Sequence, residues 1–573
     1  MTKVKAYFLF EVIVPYEIGR LITPYGQAFP KDWNYTWTMD VTDYAFLLHD
    51  SCEFLSTYDG YSQGSLYSFS FDMIEGIPAR EAYRIDILDD GYFPWGNTAD
   101  PITKYVKPKK LWVDPTAGVM TYRSFLTAHG NGNNQGIAEF TPNTPEIWVN
   151  GAKQYEQPLW RECGFNPVAW QSGTWTFPRE GWCPGDKVDP WDFDLTGMGQ
   201  PNDSILVDHR LGTYTSSVGG AGYALHNQII YAKGPQFGND VALLAIEAPT
   251  NDPPYRRGNP ICSKMSPLIK IRNNGKNTLT SLLIKYGIDG ATDHSYSWTG
   301  DLKYYDTIVL DLPGIDLGTG SHTFNLLLDS PNGSSDEYPN NNSGTASYTM
   351  PKIYSNTVYL ALLTDFLDGD PNGISYELDD VNDNILYSQS DMADATIIRD
   401  TFKLATGCYR FKIFDGSSSH QGLYPWLLKQ GIPDPKITYG NYTLKDDKKV
   451  TIWTANSSNG YAGFSPEDIV PFMVQGPSSV SGNSSQIPSL TDFAIYPNPG
   501  HGKISLDLSM LGDYSGDLRV SVFSILGKEI ITRTIYSADG PHLDLDMKYY
   551  PAGSYTVRLQ YGDQKISKKC ILE

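Results

Sequence analysis

An all-β fold class, divided among several modules, is the architecture this sequence predicts, and three observations carry it. The chain holds 39 Tyr, 13 Trp, 53 Gly and 38 Pro with only 19% charged residues, a composition that suits short strands and frequent turns better than long amphipathic helices. Its 573 residues exceed what one hydrophobic core organises, and roughly 100–200 residues per domain implies three to five modules. Stretches such as SLYSFSFDMIEG (Ser65 to Gly76) and SLLIKYGIDG (Ser281 to Gly290) alternate with the period of two expected of half-buried strands, with turn clusters between such stretches.

Charge narrows the partners. A formal net charge of −21 repels nucleic acid and anionic membrane, and no basic stripe with interleaved aromatics offsets it. Neutral or weakly charged partners are expected. Aromatic residues make up 13% of the chain; flat rings with a polar edge suit sugar binding, although β proteins are aromatic-rich in any case. No uninterrupted apolar run is long enough to span a bilayer. The opening MTKVKAYFLFEVIVPYE is interrupted by Glu11 and reads as a strand rather than a signal peptide. The six cysteines, Cys52, Cys163, Cys183, Cys262, Cys408 and Cys570, are too widely spread for a paired CxxC zinc site.

Proline and charge replace the strand pattern in APTNDPPYRRGNP (Ala248 to Pro260), which marks a linker after a front region ending at 248. The following module, 249–352, contains SPLIKIRNNGKNTLTSLLIKY, Trp298 and SPNGSSDEYPNNN and resembles the immunoglobulin-like adhesion modules of bacterial exported proteins. A further β module is expected over 353–475. Within it, DGDPNGISYELD sets Asp368, Asp370, Asn372 and Asp379 near the positions of a twelve-residue calcium loop, but strand-like flanks and a terminal Asp instead of Glu also fit a simple hairpin turn. Residues 476–489 form a Ser/Gly-rich linker with little to bury.

The last module, 490–573, carries IYPNPGHGKISLDL, VSVFSILGKEI and YYPAGSYTVRLQYGDQKISKKCILE. These blocks, in this order, resemble the sorting domain of type IX secretion substrates. That resemblance implies recognition by the secretion machinery and an extracellular or outer-membrane cell-surface location.

The front contains EIGRLITPYG (Glu17 to Gly26), MDVTDYAFLL (Met39 to Leu48), FDMIEG (Phe71 to Gly76), GIAEF (Gly136 to Phe140) and a tail running from ECGFNP to REGWCPGD (Glu162 to Asp186). Together they resemble the peptide-N-glycosidase F family, amidases that remove N-linked glycans from asparagine. The resemblance implies two stacked jelly-roll sandwiches with a cleft between them. Residues 1–80 would be a remnant of the first jelly roll, apparently truncated, and 81–248 the second. The substrate implied is an N-glycosylated protein or glycopeptide, with no cofactor.

Taken without the family, a cleft amidase needs a carboxylate to activate water or protonate the leaving nitrogen, together with polar groups that hold the scissile amide. Glu139 meets the first need in a loop flanked by small residues, and it matches the family's Gly-Cys-Ala-Glu segment, with Ile137 in place of the Cys. His129, beside Gly130, stands near a family Trp-Gly-His segment that contacts the sugar. Arg179 and Trp182 of REGWCPG match an Arg-Ala-Gly-Trp-Cys-Pro-Gly segment whose Arg reaches toward the active centre. The same tail aligns with a family cysteine pair, which implies a Cys163–Cys183 disulfide. A solvated surface Glu, a satisfied structural His and a loop-packing Arg are the plain alternatives for these positions. No HxH or HExxH pair occurs, so a copper hydroxylase on the same double jelly roll would lack its metal ligands.

Two departures stand out. The family's central Asp corresponds here to Lys5 or to nothing, and its second Glu falls near STYDGYSQG, where only a one-residue shift would let Asp59 serve as the carboxylate. A start further upstream, carrying a signal peptide and the missing strands, is the favoured reading, and the chain as numbered is expected to be nearly inactive. A noncatalytic glycan-binding or adhesive surface protein is the alternative.

Overall fold

In a computed structural model the chain forms two units, Met1–Pro477 and Ser478–Glu573. The structure describes residues 14–25, 29, 32–58, 66–130, 138–171, 173–212, 220–262, 265–367, 373–416, 422–423, 437–456, 463–464, 467–475, 493–498, 500, 502–508, 518–524, 529–535, 542–548, 550, 553–561 and 564–572. Among the described residues the regular elements of both units are almost all strands, as composition and alternation predict.

The first sandwich of the larger unit faces two antiparallel sheets across one core. One sheet runs Trp191–Asp194, Val119–His129, Gly222–Ala232, Ala82–Pro94; the other runs Lys109–Trp112, Ser204–Arg210, Glu146–Val149, Ala152–Glu156. Met120, Tyr122, Phe193, Ile205, Val207 and Ile229 fill the space between them. Val119–His129 is buried at every position but its last. The reason lies on the sheet's far face, where Tyr16, Ile18, Val41, Phe46 and Leu47 pack against it and Tyr44 is buried with Ala82, Ile85 and Ile230. Burial on two faces replaces the alternation of a solvent-facing strand with a continuous buried run.

Buried charge also pins this segment. Asp43 accepts from Arg80 Nη2 at 2.6 Å and Arg123 Nη2 at 2.8 Å, and Arg123 donates to Asp192 at 2.7 Å. Tyr305, from the next sandwich, lies between Arg80 and Arg272, whose guanidinium carbons stand 4.1 and 4.3 Å from its ring centre.

Two expectations are corrected here. The described part of SLYSFSFDMIEG, residues 66–76, forms no strand, and Leu66 and Ile74 are 99% and 91% exposed; alternation specifies a strand only where a partner strand supplies the ladder and a core covers the apolar side. The strand Val241–Ala248, placed in the front region up to 248, pairs instead with Leu268–Asn273 and belongs to the next sandwich.

That sandwich has sheets Val241–Ala248, Leu268–Asn273, Thr307–Asp311 and His294–Leu302, Leu279–Ile288, Ser321–Asp329, Ser343–Thr349, packed around Ile269, Ile284, Trp298 and Phe324. The stretch expected to be a linker is packed rather than free. After the single helical turn Pro253–Arg256, Arg257 donates to the carbonyls of Gly164 and Asn166 and lies over Trp175. A third sandwich pairs a five-stranded sheet, in which Ile353–Ser355 runs parallel to Glu467–Gln475, with a four-stranded sheet around Thr357–Leu363. A Cys262–Cys408 disulfide, Cα separation 5.4 Å, joins the second sandwich to the third.

The smaller unit has three strands, Ala494–Tyr496, Lys503–Asp507 and His542–Asp546, facing four, Glu529–Ile535, Leu518–Ser524, Gly553–Tyr561 and Gln564–Leu572. Ile504, Leu506, Val520, Val557 and Leu559 form its core. Among the described residues no helix is long and apolar enough to cross a membrane.

Candidate functional site

Four sequence-predicted residues meet at one end of the first sandwich. The strand Val119–His129 ends at His129, and the chain turns at Gly130 with φ +92°, where a Cβ would press on Gly220 and Ala221. Glu139 is brought alongside Glu180, whose N–H donates to the Glu139 carbonyl at 2.9 Å. Arg179–Glu180 pairs with Trp160–Arg161, and Gly181, φ +86°, comes so close to the Leu126 carbonyl that a side chain would not fit. A disulfide between Cys163 and Cys183, Cα separation 5.4 Å, closes the loop behind it.

Arg179 is completely buried and donates from Nε to Glu139 Oε1 at 3.0 Å, while the Glu139 side chain keeps 14% exposure. The other guanidinium nitrogens are held by the Phe177 carbonyl and Thr174 Oγ1, both at 2.7 Å. Its guanidinium carbon is 4.9 Å from the Trp182 ring centre, 5.0 Å from Phe140 and 5.5 Å from Tyr25. Trp182 donates its indole N–H to the Ala128 carbonyl at 2.6 Å and stacks on His129, ring centres 5.2 Å apart. His129 Nε2 lies 2.8 Å from Thr127 Oγ1, which accepts from Arg20 at 2.9 Å. Arg20 is in turn gripped by both oxygens of Glu17, at 2.7 and 2.9 Å.

Burial pushes the Glu139 carboxyl above its ordinary range, against the opposing pull of the Arg179 guanidinium and the Gly130 N–H. The result is a carboxyl with raised proton affinity at the mouth of a buried cationic anchor. Burial likewise raises Tyr25, with Arg179 acting against it. Glu180 points the other way along the strand. It is fully buried, neither oxygen makes a well-formed hydrogen bond among the described residues, and burial pushes its carboxyl up to about 8 with only the Asn143 backbone opposing.

Tyr25, Thr174 and Glu180 escaped the sequence reading. Tyr25 lies inside the EIGRLITPYG block and Glu180 beside Arg179 in the REGWCPG block; Thr174 carries no local signal. Lys5, Asp59, Asp368, Asp370 and Asn372 lie outside the described residues. Asp379 is not oriented as a loop ligand: it sits in the strand Ile374–Asp380, 2% exposed at its side chain, bound by Arg410 at 2.6 Å and Lys412 at 2.8 Å. A carboxylate already neutralised by two cations has little to offer calcium. Among the described residues no group of three or more His, Cys, Asp or Glu is arranged to hold a metal ion.

Residues 103–224, which include Glu139, His129, Arg179 and Trp182, match the family described as Peptide-N-glycosidase F, C terminal, and residues 494–573 match the Secretion system C-terminal sorting domain. A curated relative, the Peptide-N(4)-(N-acetyl-beta-D-glucosaminyl)asparagine amidase F of Elizabethkingia miricola, is 28% identical over 237 residues, covering 38% of this chain. The chain spans 64% of that relative's length. Among solved structures, the PNGase F glycosylasparaginase of Flavobacterium meningosepticum is 22% identical with a TM-score of 0.25, covering 28% of this chain and 55% of its own. A β-glucuronidase from Ruminococcus gnavus aligns at 9% identity and TM-score 0.19 over 48% of this chain and 46% of its own. Structural likeness that slight carries no functional argument. By the two family matches and the curated relative the chain is similar to peptide-N-glycosidase F around residues 103–224, and it is a secreted or cell-surface protein carrying a type IX secretion sorting domain at residues 494–573.

Proposed function

We propose that the site around Glu139 belongs to an amidase that hydrolyses the bond joining an N-linked glycan to asparagine in glycoproteins, with turnover by the chain as numbered held low by Lys5 at the position of the family's central Asp. The observation that carries the reading is the pairing of a partly exposed Glu139 with a fully buried Arg179 beside the His129–Trp182 stack, inside the segment that matches the amidase family. Glu139, with its proton affinity raised by burial, is suited to exchange a proton with water or with the leaving amide nitrogen. Arg179, sealed beneath the carboxyl, fixes its position through Nε. His129, partly buried and backed by the buried Trp182 ring, stands on the side open to the sugar attached to the nitrogen.

The chemistry leaves a distinctive product. Amide hydrolysis converts the linked asparagine to aspartate and frees the glycan with its terminal amine, whereas glycosidic cleavage leaves a sugar on asparagine. Peptide mass spectrometry of a denatured N-glycoprotein after incubation with the chain separates the two. Unchanged glycosylated asparagine together with glycan binding would favour the noncatalytic glycan-binding alternative.

A further inference from the structure

We propose that Tyr92 forms an outer carbohydrate subsite that stacks on a sugar beyond the residue attached to asparagine. This rests on the reading that the site around Glu139 takes a glycan, and it specifies the substrate as an extended oligosaccharide. Tyr92 lies on the edge strand Ala82–Pro94, opposite Ala224, which is itself opposite Thr127. Pairing partners share a sheet face and residues two apart return to it, so Tyr92, Thr127 and His129 stand on the same face.

A row of aromatic rings leads from the buried anchor outward to solvent. The Arg179 guanidinium lies 4.9 Å from the Trp182 ring, Trp182 stacks on His129 at 5.2 Å, and His129 is followed by Tyr92 at 6.5 Å. Exposure rises along this row: Trp182 is buried, His129 partly buried, and Tyr92 53% exposed. The Tyr92 ring is also held in place. It covers Gly222, where a Cβ would come within 2.7 Å of the ring, and its hydroxyl donates a long bond of 3.4 Å to the His129 carbonyl. A ring fixed by its edge with its bulk toward solvent presents an apolar surface at little entropic cost, which is what stacking on a pyranose requires. The net charge of −21 favours a neutral ligand over a sulfated or sialylated one.

The test uses the full chain and two probes, N,N′-diacetylchitobiose and a neutral high-mannose oligosaccharide that contains it, with affinity read by titration calorimetry so that no turnover is needed. Tyr92→Ala is expected to weaken the long probe by about three- to tenfold, in line with an aromatic stacking contribution, and to leave chitobiose unchanged. Tyr92→Phe should retain the long-probe affinity, because the ring and not the hydroxyl makes the contact. Equal loss for both probes would make Tyr92 a support for His129 and overturn the subsite, as would no loss for either. Glycan release by the wild-type chain, assayed in parallel, tests the amidase reading separately. Release that persists while Tyr92→Ala binds both probes normally sinks the subsite alone; selective loss of the long probe without release by any variant sinks the amidase reading alone.

Discussion

Arg179 holds Glu139 from below, Nε to Oε1 at 3.0 Å, with Nη1 donating to the Phe177 carbonyl, Nη2 to Thr174 Oγ1, and the Phe140 and Trp182 rings packed around the guanidinium. The pair is therefore asymmetric: the cation is sealed and the carboxyl faces outward. Removing a buried partner leaves an uncompensated charge, which costs about 3–5 kcal/mol.

Arg179→Lys keeps the charge but loses the fork that binds Glu139, Thr174 and the Phe177 carbonyl together. The expected result is a folded protein whose glycan release falls by about 10²-fold, since a misplaced carboxyl loses most of its acid–base advantage. Arg179→Met removes the group that opposes burial, so the Glu139 carboxyl titrates at a still higher pH. Its signature is an upward shift of the corresponding limb in the pH–rate profile, and an unmoved limb would mean that Glu139 does not set it.

Glu180 makes stability depend on pH in the opposite sense from most carboxylates. Its value rises from 4.5 in the unfolded chain to about 8 in the folded one, so the folded state holds the proton more tightly between those limits. Stability is fully present below the unfolded value and declines as pH rises, until the group is ionised in both states above about 8. Glu180→Gln, with no charge to develop, should raise the denaturation midpoint at alkaline pH relative to the wild type and change it little at about pH 5. Equal shifts at both pH values would contradict the assignment.

Asp43 behaves conventionally. Burial pushes its carboxyl up, but Arg80 and Arg123 outweigh that and hold it at about 2, against 3.8 when unfolded. Its contribution is present above 3.8 and is lost as pH falls toward 2. Asp43→Ala leaves two buried guanidinium groups to share Asp192 alone and should destabilise the larger unit by about 3–5 kcal/mol, measured by chemical denaturation. A change below about 1 kcal/mol would show that Arg80 and Arg123 are satisfied by Asp192 alone.

Parts of this molecule were legible because local chemistry dictated them. The strand Leu279–Ile288 follows its alternation, with Leu282, Ile284 and Tyr286 inward. Glu139, His129, Arg179 and Trp182 were found through short motifs and converge within hydrogen-bonding or stacking distance. What escaped depends on distant pairing. Residues 66–76 alternate like a strand without a sheet to join, and Val241–Ala248 goes to the following sandwich because its register partner is Leu268–Asn273. Asp43 and Arg80 are ordinary surface residue types by sequence, and only the segment folded across the buried strand Val119–His129 makes them a sealed ion pair. Asp379 sits near calcium-loop spacing, yet strand pairing to Arg410 places two cations on it.

The most direct test of the account is glycan release from an N-glycopeptide by the wild-type chain and by Glu139→Gln, with affinity for the free glycan measured for both. The substitution preserves shape and the ability to accept from Arg179 while abolishing proton transfer, so release is predicted to fall by about 10²–10⁴-fold with glycan affinity within about threefold of wild type. Release that persists at the wild-type rate in Glu139→Gln would contradict the central claim.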